Sequence, residues 1–231
     1  MLRTARKSPS VFSREKDVTR GEEAYQKIRH SILKGKWAPA APLSEYQLAA
    51  QFKLSRTPVR EALTRLEQEG MVRTVPGRGT FVSDLTPHDI MEIYQVREQL
   101  ESFAARLAAE QMGTDGLLKL ERIIQEMHQG AAAGHSETIV EIDVSFHKTI
   151  TQATQNHRMI NILATLDDQM HRIRSLWLGQ SRWLEGTLAE HDQIVKGITD
   201  RNPDAAEAAM RKHLQISCEH VIRFLMPMRR D

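Results

Sequence analysis

Residues 43–82 read LSEYQLAAQFKLSRTPVREALTRLEQEGMVRTVPGRGTFV. Ser44, with Gln47 three positions on, has the spacing of a capping box at a helix start. Leu48, Ala49 and Phe52 give that helix one apolar side. Lys53 and Leu54 fit a tight turn. Ser55 then starts a second helix whose first turns carry Arg56, Thr57, Pro58 and Arg60. Proline is tolerated there because first-turn amides have no intrahelical partner. Val59, Leu63 and Leu66 recur at i, i+4, i+7 spacing, and Gly70 suits the helix end. Residues 71–75 and 80–83 read as two short strands joined by Pro76, Gly77, Arg78 and Gly79. Helix, turn, helix and a basic glycine hairpin is the order of a winged helix-turn-helix.

The residue types on the second helix suit DNA. Arginine pairs bidentately with guanine edges, threonine contacts bases or backbone, and helix N-terminal amides attract phosphate. An ordinary helical hairpin would need only a solvated face there. Turn, cap, basic first turn and basic wing instead agree on one purpose.

Working outward, residues 21–35 form a helix through Ala24, Tyr25, Ile28, Ile32 and Leu33 that closes a small core. Trp37, Ala38, Pro39 and Pro42 read as an extended link. Residues 1–17 are polar and basic without periodicity, and are expected to be a mobile tail. The DNA-binding unit therefore spans 18–83, a linker and helix start 84–87, and a second unit 88–231. Charge divides the same way. Residues 1–85 hold 16 Lys and Arg against 9 Asp and Glu, whereas the remainder is net acidic. That asymmetry implies that the front half alone meets a polyanion.

One cysteine, Cys218, excludes an intramolecular disulfide. No apolar run approaches membrane-spanning length, and no apolar segment follows the charged N-terminus. These features imply a cytoplasmic protein without a membrane partner.

The second unit reads as helix throughout. Thr86, Pro87 and Asp89 start the first of six, with Ile90 beginning its apolar stripe. The others lie near residues 115–132, 137–154, 157–178, 183–199 and 203–226, which implies an antiparallel bundle. The chain is thus mainly α, a winged helix-turn-helix followed by a six-helix bundle. Asp143 and His147 lie one turn apart on the face that carries Ile139, Phe146 and Ile150. His191 lies among Leu188, Ile194 and Val195, and His213 between Met210 and Leu214. A lone inward histidine is usually a hydrogen-bonded core residue. Four titratable groups pointing into one interior suit a single divalent transition metal per subunit, which takes a carboxylate and neutral imidazoles together. Zinc leads this expectation, with nickel and manganese as alternatives. Arg97 falls on the apolar stripe of the first bundle helix. A buried guanidinium needs an anion, either a protein carboxylate such as Glu101 or Glu141, or a ligand carboxylate.

The segments SRTPVREAL and GRGTFV resemble the DNA-binding domain of GntR-type bacterial transcription regulators. The resemblance implies that Arg56, Thr57 and Arg60 touch bases or phosphates, Ser55 a phosphate, and Gly79, beside Arg78, the minor groove at the wing tip. Family members often carry arginine after the LSE triplet, where this chain has Tyr46. Behind it, IYQVREQLE, IDVSFHKTITQATQN, EHDQIVKGI and AMRKHL are similar to the FCD effector domain of one large GntR subfamily, in its shorter six-helix, VanR-like form. By that likeness Asp143, His147, His191 and His213 are metal ligands. Arg97 holds a small organic-acid effector, with Asn156 and Arg174 also near it. The expected protein is a ligand-responsive regulator binding an inverted-repeat operator in double-stranded DNA as a homodimer. The alternative is a metal-dependent hydrolase or lyase anchored to nucleic acid, although no nucleophile motif or phosphate loop accompanies the ligand set.

Overall fold

The computed structural model describes residues 19–134, 136–177 and 184–225. The basic tail therefore lies outside the described residues. Helix α1 (Arg20–Leu33) starts at Thr19, whose hydroxyl accepts the Glu22 amide, and buries Ala24, Ile28 and Ile32. Strand β1 (Pro42–Leu43) leads into α2 (Glu45–Phe52), α3 (Arg56–Gln68), β2 (Val72–Val75) and β3 (Gly79–Val82). Lys53 takes the left-handed conformation between α2 and α3, at φ 56°, and makes their turn tight. Gly70 does the same after α3 at φ 69°, as a helix C-terminus prefers.

The antiparallel sheet runs β1-β3-β2, with Leu43 opposite Thr80 and Val72 opposite Val82. The link through Pro42 is thus the third strand of the wing. Two residues are too few to show a period of two, so sequence pattern did not separate it from a linker. Ile28, Val59, Leu66, Met71 and Val82 form the small core under the three helices.

The second unit holds α4 (Pro87–Gln111), α5 (Thr114–Ala132), α6 (Ser136–Ala153), α7 (His157–Trp177), α8 (Leu184–Thr199) and α9 (Pro203–Leu225). Thr86 and Asp89 form a reciprocal capping box. The Asp89 amide donates to the Thr86 hydroxyl at 3.1 Å, and the Thr86 amide to the Asp89 carboxylate at 2.7 Å. Ile90, Phe146, Ile150, Ile194 and Met210 sit in the large core, which forms where α4 and α8 pack along α9. A Cβ on Gly197 would come within 2.7 Å of the Ala206 backbone amide nitrogen. Glycine therefore lets the α8–α9 hairpin close. That approach brings the faces carrying His191 and His213 together. Arg201 donates to the Ala109 and Met112 carbonyls and ties the hairpin to the end of α4.

Candidate metal centre and nucleic-acid interface

Helix α6 carries Asp143 and His147, α8 carries His191 and α9 carries His213, all buried. One ligating atom from each lies within 4.8 Å of the other three. An ion bonded at roughly 2.1 Å would hold its ligands roughly 3.0–4.2 Å apart, so a small contraction would suffice. Asp143 Oδ1 is 3.3 Å from His191 Nε2 and 3.7 Å from His147 Nε2. The rings of His191 and His213 have centroids 4.4 Å apart.

Two further carboxylates complete the arrangement. Glu101 on α4 lies 2.5 Å from His147 Nδ1, and Glu190 on α8 lies 2.9 Å from His213 Nδ1. A carboxylate on Nδ1 accepts the proton of that nitrogen and leaves Nε2 as the basic atom, which raises ligand strength and fixes the ring. Burial drives His213 down to about 3, so its imidazole is neutral, the form a metal requires. Burial pushes the Glu190 carboxyl up to about 7. Burial also pushes Glu101 up, but Arg97 and His147 outweigh it and hold the carboxyl well below the usual range.

Arg97 is 4% exposed and its Nε donates to Glu101 Oε1 at 2.6 Å. Of the partners open to it in the sequence, the structure thus supplies the protein carboxylate Glu101. The guanidinium also lies over Tyr94, 5.0 Å from the ring centroid. A cavity of about 50 Å³ adjoins this group, walled by Arg97, Glu101 and His147 on one side and by Leu163 and Met170 of α7 on another. Asn156 does not line it. Its side-chain oxygen accepts the amides of Arg158 and Met159 at 3.1 and 3.2 Å and so caps α7. Arg174 lies on α7, and its side chain is outside the described residues.

At the other end, Ser55, Arg56, Thr57, Arg60, Arg78 and Gly79 are all exposed. Ser55 occupies the N-cap of α3 without a side-chain cap hydrogen bond. Gly77 and Gly79 take φ 74° and 99° on either side of Arg78 and turn the wing. Arg56 and Arg60 converge on Glu45 of α2. Arg60 donates from Nε and Nη2 at 3.0 Å, and Arg56 from Nη2 at 3.1 Å. Tyr46, the next residue, is 74% exposed. Sequence reading missed Glu45 and Glu190. Glu45 sat unremarked in the cap segment. Glu190 is a chain neighbour of His191, but it meets His213 only through the α8–α9 pairing.

Residues 20–82 match the model described as bacterial regulatory proteins, gntR family, and residues 92–216 match the FCD domain. The HTH-type transcriptional regulator YdhC of Bacillus subtilis (strain 168) is 29% identical over 85% of this chain and 88% of its own. The HTH-type transcriptional repressor RspR of Escherichia coli (strain K12) is 28% identical over 87% and 88%. Among solved structures, E. coli McbR/YncC shares the fold with a TM-score of 0.74 at 21% identity, covering 89% of this chain and 98% of its own. YdhC and RspR are both transcriptional regulators. Among the described residues no helix is long and apolar enough to cross a membrane. The chain belongs to the GntR family of bacterial transcription regulators, with an FCD domain behind its winged helix-turn-helix.

Proposed function

We propose that the chain is a ligand-responsive regulator that binds an inverted-repeat operator as a homodimer, with a metal-assisted effector site in the bundle. The observation that carries this reading is the convergence of Asp143, His147, His191 and His213 beside a cavity walled by Arg97. Three imidazoles and one carboxylate suit zinc, with nickel and manganese as alternatives. A bound divalent ion would supply a Lewis-acid anchor for a carboxylate. The protein's part is orientation. Glu101 and Glu190 accept the Nδ1 protons of His147 and His213 and aim Nε2 inward, while Arg97 adds positive charge to the cavity wall. A small organic acid is the effector class that these groups suit.

On the DNA side, Arg56, Thr57 and Arg60 would address the major groove, Ser55 a phosphate, and Arg78 with Gly79 the minor groove. One small winged unit covers one half-site, which favours two units related by a two-fold axis.

Elemental analysis tests the metal. The purified chain should carry about one transition-metal ion per subunit. Chelation should lower its melting temperature and re-addition restore it, because an ion that binds only the folded state stabilises it. His191→Ala should abolish both effects. Absence of metal as purified, of uptake after re-addition and of any thermal shift would overturn the reading.

A further inference from the structure

The cavity beside Arg97 is about 50 Å³, whereas sites for small organic ligands usually span about 300–1,000 Å³. As it stands it holds about a water or two. A multi-carbon acid enters only if a wall gives way. The α4 wall is held by the buried Arg97–Glu101 ion pair, and the α6 wall by His147, whose Nδ1 meets Glu101. The α7 wall presents Leu163, Met170 and the Asp167 carboxylate, and among the described residues it meets Arg97 through the Met170 sulfur at 3.5 Å. Helix α7 stands outside the Arg97–Glu101–His147 group that ties the other two walls together, which leaves it the freest of the three.

Its opposite face is fixed to the DNA-binding unit. At 3.6 residues per turn, Leu163, Asp167 and Met170 share one side, and Asp168, Gln169 and Arg172 project from the other. Asp168 receives both Nε and Nη2 of Arg29 on α1. Gln169 Nε2 donates to the Glu69 carbonyl at the end of α3, at 2.8 Å. Arg172 Nη2 donates to the Ser83 carbonyl directly after β3. The fit is close, since a Cβ on Gly70 would lie 2.4 Å from Gln169 Nε2. The three contacts reach α1, the end of α3 (the recognition helix of the reading above) and the exit of the wing.

We propose that α7 carries the state of the cavity to the DNA-binding unit. Entry of a ligand drives α7 against that unit and re-seats the Asp168, Gln169 and Arg172 contacts. The recognition helix is thereby turned relative to the bundle. The proposal rests on the cavity being the effector site, and it names the route by which that site is read. A route along the backbone from α4 into the wing needs none of these three side chains.

The test fills the cavity without a ligand. Thr151, 6% exposed, lines it from α6. Thr151→Phe puts a ring where a side chain cannot escape to solvent, and Thr151→Leu is the milder wedge. Amide hydrogen exchange is followed in the full chain at residues 69–71 and 83–85, beside the Asp168→Asn, Gln169→Ala double variant and the combination of wedge and double variant. The wedge should change exchange in both segments by roughly tenfold or more, Thr151→Leu by less, and at residues 69–71 the wedge should add nothing once Asp168 and Gln169 are replaced. Wild-type exchange in both segments in a cooperatively melting Thr151→Phe or Thr151→Leu protein overturns the proposal, and so does full additivity with the double variant at residues 69–71. Metal content measured on the same samples keeps the two readings apart. An altered exchange pattern in a metal-free protein sinks the metal reading and leaves the coupling standing.

Discussion

The molecule uses one chemical group twice, under opposite conditions. In the DNA-binding unit Glu45 gathers Arg56 and Arg60, whose side chains are 63% and 64% exposed. In the bundle Glu101 gathers Arg97 and His147, and the Arg97 and Glu101 side chains are 4% and 5% exposed. In water an ion pair is weak and exchangeable, so Arg56 and Arg60 can leave Glu45 for a phosphate or a guanine edge at little cost. In the core the charges have lost their hydration. Removing either partner strands the other, and the cluster acts as fixed framework for the histidines. Exposure suits the first cluster to the reading of DNA proposed above, and burial suits the second to holding the histidines in place.

The largest expected effect comes from breaking the buried cluster. Glu101→Ala leaves the Arg97 guanidinium and the His147 Nδ1 proton without their acceptor, and should destabilise the bundle by about 3–5 kcal/mol in denaturant titration. Replacing the pair together, Arg97→Met with Glu101→Leu, should cost clearly less than Glu101→Ala alone, because no charge is stranded. A loss below about 1 kcal/mol for Glu101→Ala would place that pair with the surface pairs and remove the contrast.

The reading cluster answers to a different measurement. Arg56→Ala and Arg60→Ala should each weaken operator binding by about 5- to 150-fold and relax preference at one position per half-site. Thermal stability should hardly move. Arg78→Ala in the wing should lower affinity for operator and unrelated DNA alike and reduce the salt slope by about one. Retention of specific binding by the Arg56→Ala, Arg60→Ala double variant would show that α3 is not the reading helix.

The two regions were not equally legible in the sequence. The DNA-binding unit could be recognised locally, since caps, turn, basic first turn and wing lie within 40 residues of chain. In the bundle, Asp143 and His147 were recognisable as an i,i+4 pair, and His191 and His213 as polar positions on apolar stripes, because the 3.6 period places all four inward. Their supports were not. Glu190 meets His213 across two helices, and Arg29 meets Asp168 across 139 positions of chain. Single-sequence periodicity reports which face a residue occupies, not what stands opposite. At Asn156 two signals compete in the sequence. An asparagine immediately before a helix is first a cap, and here its side-chain oxygen is used that way.

The smallest effect sharpens the comparison most, because it separates the two roles of Glu45. While Glu45 holds Arg56 and Arg60 it restricts their rotamers, which lowers the entropy lost when they engage bases. It also sets a negative charge beside the arginines proposed to meet DNA, which opposes every phosphate. Glu45→Gln removes the charge and keeps the shape. The melting temperature should shift by less than about 4 °C, as for an exposed pair. Affinity for unrelated DNA should rise by a small factor, while the ratio of operator to unrelated binding at fixed salt should fall. If both affinities rise together with the ratio unchanged, Glu45 is only a screening charge and the arginines need no holding. If the ratio falls, this exposed cluster is pre-organised for its task as the buried one is, by a single carboxylate that gathers two donor side chains.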